Sequence, residues 1–376
     1  MKNCAIFLII IHTAICMFSN VNAADQTGYL SVTGPCHLEF PEDHGPHPGY
    51  RTEWWYYTGN LQAASGEKYG FQLTFFRSQI RPPADLRGWP QPASAWRTQQ
   101  IYMAHSAISN LTDKQHLQAE LVARGALGMA GADRVGDTTA IFLKNWSARI
   151  GPDRHLLEVQ TDDFTIEMIL TPEKPPVMHG IAGYSRKGAA ADKATCYYSF
   201  SRLRARGKLS IGEAVVQVTG SAWMDHEYGT DILGPGIKGW DWFSLQLSDN
   251  TEVIVFLVKS KKGAIEPTSS ATVIGQMDLK RHLRPDDFKV TVLETWKSPS
   301  SKAVYPAGWR LQIFPESLEL VIKPNLANQE MLTIRSTGTI YWEGSVSAAG
   351  TKGGKTVSGE GYIELTGYTQ PFDAPM

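Results

Sequence analysis

Apolar positions along this chain fall mostly into short stretches of strand-like composition, cut every ten residues or so by turn-forming residues. Tyr69–Arg77 (YGFQLTFFR) is aromatic and β-branched and follows the turn-forming Ser65-Gly66. Together with Tyr56–Leu61 it predicts a hairpin. Thr251–Val258 (TEVIVFLV), after Ser248-Asp249-Asn250, predicts another strong strand. Phe164–Leu170, Val215–Thr219, Leu311–Phe314 and Tyr362–Leu365 add more. Sustained helical spacing is missing apart from Lys114–Arg124, which suits a short helix. Residues 79–98, with four Pro and two Trp, read as a long loop. Many short strands separated by turns predict an all-β protein built as a sandwich or barrel.

The pattern is also doubled. Val218-Thr219-Gly220-Ser221-Ala222-Trp223-Met224-Asp225 matches Val357-Ser358-Gly359-Glu360-Gly361-Tyr362-Ile363-Glu364 position for position. Each follows a strand that opens with paired aromatics, Tyr197-Tyr198 and Tyr341-Trp342. Trp54-Trp55-Tyr56, a turn and an apolar strand are likewise echoed by Trp240-Asp241-Trp242-Phe243, a turn and an apolar strand. Two tandem antiparallel barrels explain the repeat, 24–235 and 236–376, with Leu233-Gly234-Pro235-Gly236 as the junction. The copies differ where the first carries Asp225-His226-Glu227 and the second Glu364-Leu365-Thr366. The extra polar chemistry is therefore expected in the first barrel or at the junction.

Length supports the division, because one core rarely grows beyond roughly 250–300 residues and the chain has 376. With 36 basic and 37 acidic side chains it projects no long-range field, which removes nucleic acid as a partner. Lys2, the apolar run Ala5–Ile15 and Val21-Asn22-Ala23 predict a signal peptide over 1–23, cleaved before Ala24. The protein is then exported: periplasmic in a Gram-negative source, otherwise secreted. Cys36 and Cys196 would remain, either bridged or as separate buried thiols. Familiar catalytic motifs fail on context. Gly234–Gly239 has glycine spacing but is followed by a Trp-rich strand, Gly353-Gly354-Lys355-Thr356 lacks the first P-loop glycine, and His226-Glu227 lacks a second His at position 230. Gly183-Tyr184-Ser185-Arg186-Lys187-Gly188 has the wrong spacing for a nucleophile elbow.

What remains is Trp223-Met224-Asp225-His226-Glu227-Tyr228. On a strand Trp223, Asp225 and Glu227 share one face, and Met224 and His226 the other. Two carboxyls beside a Trp disfavour double ionisation, and an apolar cavity would raise at least one pKa, leaving a general acid near neutral pH. A solvated strand end paired with Arg202, Arg204 or Arg206 fits the same residues. The aromatics of Glu53-Trp54-Trp55-Tyr56-Tyr57 and Trp240-Asp241-Trp242-Phe243 would either line that cavity, suiting a polyene or a developing carbocation, or plug a barrel floor. His105 and His179 stand alone in sequence. A metal site drawn from His105, His179, His226, Asp225 and Glu227 has no supporting local spacing.

At these residues the chain resembles the AttH-like, carotenoid 1,2-hydratase-like family. The resemblance is carried by Thr52-Glu53-Trp54-Trp55-Tyr56, Gly70–Arg77, Tyr102-Met103-Ala104-His105, Lys174–Gly180, Trp223–Glu227 and Gly239–Phe243. It runs from about residue 45 to Tyr368 and departs at Tyr228, where the family usually has Trp. It implies two lipocalin-like barrels packed together. The implied activity is addition of water to a terminal alkene of an apolar isoprenoid. Asp225 would be the acid, with Glu227 or His226 positioning water. Trp223, Trp240 and Trp242 would flank the cation, and Trp54, Trp55, Tyr56, His105, His179 and Asp241 would complete the substrate site. Such chemistry needs no organic cofactor or metal. Two other classes stay open: a non-catalytic carrier of a lipophilic molecule, working at a membrane surface or with an ABC transporter, and a hydrolase or isomerase of another lipid.

Overall fold

The computed structural model describes residues 28–230, 232–275 and 280–371; the export segment expected over 1–23 lies outside them. The first sheet is made of β1 (Thr52–Ala63), β2 (Lys68–Gln79), β3 (Gln100–Asn110), β4 (Gln115–Arg124), β5 (Ala130–Val135), β6 (Thr138–Leu143), β7 (Trp146–Ile150), β8 (His155–Gln160), β9 (Phe164–Pro172), β10 (Val177–Met178), β11 (Tyr184–Arg186), β12 (Ala194–Ile211) and β13 (Ala214–Gly229). Its order is β4-β3-β2-β1-β13-β12-β9-β8-β7-β6-β5, with β10 and β11 also on β12. The second holds β14 (Ile237–Leu247), β15 (Glu252–Ser260), β16 (Ser270–Ile274), β17 (Lys280–Leu283), β18 (Phe288–Lys297), β19 (Val304–Ile313), β20 (Leu318–Pro324), β21 (Glu330–Thr333), β22 (Thr339–Lys352) and β23 (Lys355–Leu365). Its order is β17-β16-β15-β14-β23-β22-β20-β19-β18, with β21 on β22. The fold is all-β: two antiparallel sheets, each curled into a nearly closed barrel. In the first, β3 and β4 at one end of the sheet come against β6 near the other.

Alternation explains both interiors. Trp55, Tyr57, Phe71, Leu73 and Phe75 point into the first barrel with Ile166, Leu170 and Met224. Phe243, Val255, Trp309, Leu320, Trp342 and Ile363 fill the second. The expected short helix at Lys114–Arg124 is instead β4, paired with β3. Leu117, Ala119, Leu121 and Ala123 recur every second residue and pack on the first core, so the two-residue period outweighs the helical spacing of Leu117 and Leu121. Residues 80–99 form no strand and carry one short 3-10 helix, Pro83–Gly88.

The doubled motif is a doubled position in the fold. β13 lies between β1 and β12, and β23 between β14 and β22. Asp225 faces Tyr56 and Ser199 across its neighbours; Glu364 faces Trp242 and Glu343. The shared glycine has one cause in both copies. A Cβ on Gly220 would lie 2.1 Å from the Asn60 carbonyl oxygen, and one on Gly359 would lie 2.6 Å from that of Gln246.

The outer faces of these strands press the barrels together. Asn60 Nδ2 donates to the Gly361 carbonyl at 3.0 Å, and Gln246 Nε2 to those of Ser201 and Ala222 at 2.8 and 2.9 Å. Glu252, fully buried, takes Lys174 at 2.7 Å and Arg202 at 2.6 Å from the first barrel. Tyr56, Val177, Tyr197, Trp223, Trp240, Trp242 and Tyr362 form a third apolar cluster between the two cores. Cys36 and Cys196 are bridged by a disulfide, tying the segment before β1 to β12.

Candidate functional site

The even-numbered residues of β1 and the odd-numbered residues of β13 point away from the first core, toward the second barrel. Together with the matching faces of β14, β22 and β23 they line a narrow, partly open cavity. Trp54, Tyr56, Phe76, Trp240, Trp242 and Phe256 give it aromatic walls. Four carboxyls reach it, Asp225, Glu227, Glu343 and Glu364, against one ammonium, Lys187.

Asp225 is 3% exposed. Its Oδ1 accepts the Trp223 indole N–H at 2.6 Å and the Ser199 hydroxyl; its Oδ2 accepts the Tyr197 hydroxyl at 2.6 Å. Trp242 Nε1 donates in turn to the Tyr197 oxygen at 3.1 Å. Burial raises the Asp225 pKa to about 7; the Ser199, Tyr197 and Trp223 hydrogen bonds hold it down and the neighbouring Glu227 charge adds to the rise. Behind it His179 Nε2 lies 2.6 Å from Ser199 Oγ and its Nδ1 lies 3.4 Å from Thr272 Oγ1. Burial, aided by the Lys187 charge, holds His179 neutral. Glu227 is 4% exposed, paired with Lys187 at 2.7 Å and bonded by the Thr195 hydroxyl. The Lys187 ammonium sits 3.9 Å from the Phe256 ring centre and 4.8 Å from that of Tyr197.

From the second barrel, Glu364 accepts the Trp240 indole N–H at 2.9 Å. Burial pushes its pKa up to about 7 against that bond, with the Asp225 and Glu227 charges adding to the rise. Its strand neighbour Glu343 is raised well above the usual range by burial and by the Glu364 charge. The Tyr56 and Tyr341 hydroxyls lie near enough to oppose that rise. Neither completes a hydrogen bond to a Glu343 oxygen, and the Tyr56 hydroxyl itself has no partner.

The sequence profile of the AttH-like family matches residues 31–368. The chain belongs to the AttH-like family. A crystal structure of a protein assigned as AttH from Nitrosomonas europaea is similar, with 34% identity and a TM-score of 0.79 over 90% of this chain and 99% of that one. Kievitone hydratase from Nectria haematococca shares the fold at 15% identity and a TM-score of 0.65, covering 92% of this chain and 98% of its own. So does CghA solved with Sch210972, at 15% identity and 0.56 over 92% and 98%. No curated protein sequence matches the chain.

This AttH-like chain divides the expected site residues by strand face. Trp54, Tyr56, Asp225, Glu227, Trp240 and Trp242 line the cavity. Trp223 touches it through its bond to Asp225, and His179 is one hydroxyl further back. Asp225 and Glu227 are buried, so the strand end is not solvated; Glu227 is salt-bridged, but to Lys187, while Arg202 and Arg204 pair with Glu252 and Glu173. His226 is a correction: it points into the first barrel, as alternation requires, with its ring 4.8 Å from that of Trp55. Its Nε2 is 2.8 Å from Glu53 Oε1 and its Nδ1 3.1 Å from the Tyr198 hydroxyl. Trp55 is a core residue whose indole donates to the His44 carbonyl, and Asp241 turns into an ion pair with Lys259 and accepts from Tyr368. His105 sits behind the wall, 2.9 Å from the hydroxyl of Tyr341, which lines the cavity.

Among the described residues the set close enough to hold a metal ion is His47, Glu53 and His226, with donor atoms within 4.8 Å of one another. Cations already serve it. Arg77 Nε lies 2.7 Å from Glu53 Oε2 and His47 Nδ1 2.7 Å from Oε1. Burial opposes ionisation of Glu53, but Arg77 and His47 outweigh it and hold the carboxyl well below its usual range. Sequence reasoning passed over Glu343, Glu364, Lys187, Tyr197 and Tyr341. Signals existed for most of them: Glu364 aligns with Asp225 in the repeat, the two Tyr open matched strands, and Lys187 lies in the segment rejected as a nucleophile elbow.

Proposed function

We propose that the protein is an exported hydratase that adds water across a terminal alkene of an apolar isoprenoid, with Asp225 as general acid. The observation that carries this reading is a buried carboxyl that opens onto an aromatic-walled cavity, where burial raises its pKa to about 7. Protonating an alkene carbon needs an acid whose strength is matched to working pH and walls that tolerate positive charge. Asp225 gives its proton to the alkene carbon, the π electrons form the new C–H bond, and the adjacent carbon becomes a tertiary cation. Trp240 and Trp242 line the cavity beside Asp225 and Trp223 donates to it, so aromatic rings are at hand to stabilise that cation. Water then bonds to the cation and loses its proton to Glu227, the carboxyl beside Asp225 on the same strand face, and the proton returns to Asp225. His226, on the other face, takes no part. The hydratase name carried by a protein of the same fold supports the reaction class, and the Cys36–Cys196 bridge suits an oxidising compartment outside the cytoplasm.

The test is incubation of purified protein with acyclic isoprenoids of the lycopene type, with product analysis. The wild type is expected to yield the tertiary alcohol and Asp225→Asn to lose at least about a hundredfold in rate, the scale of general-acid catalysis. Absence of hydrated product from the wild type would overturn the hydratase reading. If ligand binds equally well to wild type and Asp225→Asn, with no turnover by either, the protein is a carrier.

A further inference from the structure

The wall built by the second barrel carries chemistry that protonation by Asp225 leaves unused. Glu343 on β22 and Glu364 on β23 are register partners on adjacent strands, so their carboxyls leave the sheet on the same face, into the cavity. Glu343 is 2% exposed and neither of its oxygens accepts a completed hydrogen bond. A buried acceptor left unmade is costly, and the cost is recovered when a ligand supplies the donor. The Tyr56 hydroxyl nearby is equally unpartnered. The cavity's one lysine, Lys187, is held by Glu227 and by the rings of Phe256 and Tyr197 and supplies no counter-charge to the pair. Trp54, Tyr56, Trp240 and Trp242 line the space around the pair. Carboxyl acceptors without a cation, lined by aromatic side chains, match an organic ammonium ion on both counts: its N–H needs an acceptor and its alkyl groups favour aromatic rings.

We infer that Glu343 and Glu364 form a subsite for the protonated nitrogen of a hydrophobic tertiary amine, whose N–H donates to Glu343 while its alkyl groups lie against Tyr56, Trp240 and Trp242. This subsite stands whether the protein is a hydratase or a carrier. Burial and mutual repulsion keep the two adjacent carboxyls from both ionising near neutral pH, so an arriving cation ionises one of them and its proton leaves to solvent. Binding is thereby linked to proton release.

The probes are N,N-dimethyldecylamine and its uncharged counterpart N,N-dimethyldecanamide, titrated into the full-length protein by calorimetry in buffers of different ionisation enthalpy. Tryptophan fluorescence reads the same titrations. The amine is expected to bind at least about tenfold more tightly than the amide, a difference of roughly 1.4 kcal/mol, with about one proton released per amine near pH 7. Glu343→Gln should remove that preference and leave amide binding in place. Equal binding of amine and amide by the wild type, or amine binding without proton release, overturns the subsite, and neither measurement depends on the variant folding. Hydration without amine preference would sink this inference alone. Amine preference without hydration would sink only the hydratase reading.

Discussion

At the scale of single residues, strand alternation separates two chemistries that are contiguous in sequence. Asp225 and Glu227 face the cavity between the barrels, while His226 between them enters the first core and joins the Glu53–Arg77 network. This division is legible in the sequence, since two neighbours on a strand cannot share a face. Which face is the cavity is not, because on the paired strands β1 and β13 both faces carry apolar and aromatic side chains. The pH dependence of the site follows from Asp225. In the proposed hydration the acid form of Asp225 is the active one, so the rate should fall as pH rises through about 7, measured as kcat/KM against pH. The same shift has a stability consequence. A carboxyl whose folded-state pKa is raised stabilises the fold while protonated, and that contribution is lost as pH climbs from the ordinary value of 3.8 through about 7. Thermal unfolding of Asp225→Asn should therefore decline less than that of wild type over that window.

At the scale of elements, the repeat seen in the sequence is a repeat of strand environment. β13 and β23 each sit between a strand opening the barrel and a long strand before the hairpin, and each needs glycine where a neighbouring carbonyl approaches. Gly220→Ala and Gly359→Ala should each destabilise their barrel by about 1–3 kcal/mol, the cost of overpacking, as read by urea unfolding. A loss in one copy alone would break the equivalence. Glu53 lies away from the cavity, in a buried charge network with Arg77, His47 and His226. Its carboxylate and the Arg77 guanidinium are both wholly buried, so Glu53→Gln leaves an uncompensated charge and should cost about 3–5 kcal/mol. Denaturant titration reads it, and unchanged stability would show that Arg77 finds another partner. The strand patterns of β1, β2, β9 and β15 were legible from composition, whereas β4 was not. Its Leu117 and Leu121 satisfy helical and strand periods together, and only pairing with β3 decides between them.

At the scale of the whole molecule, the site exists because two barrels meet. Gly70 on β2 is one of the closest points: a Cβ there would lie 2.6 Å from the Tyr362 hydroxyl and 3.0 Å from the Ser345 Cβ of the second barrel. Gly70→Val should loosen this contact and let water into the cavity, red-shifting the emission of the tryptophans around Asp225; unchanged emission would mean that the barrels accommodate the bulk. The sequence by itself determined the strand-rich composition, the doubling and the presence of carboxyls beside tryptophan on one strand face, since each follows from short-range periodicity and spacing. Only the tertiary structure decided that Glu343 and Glu364 join Asp225 and Glu227 in one cavity, that Lys187 pairs with Glu227, and that His226, Trp55 and Asp241 lie elsewhere. Those groups come from segments more than a hundred residues apart in places, and their pKa values depend on burial at a junction between two sheets, which no local pattern encodes.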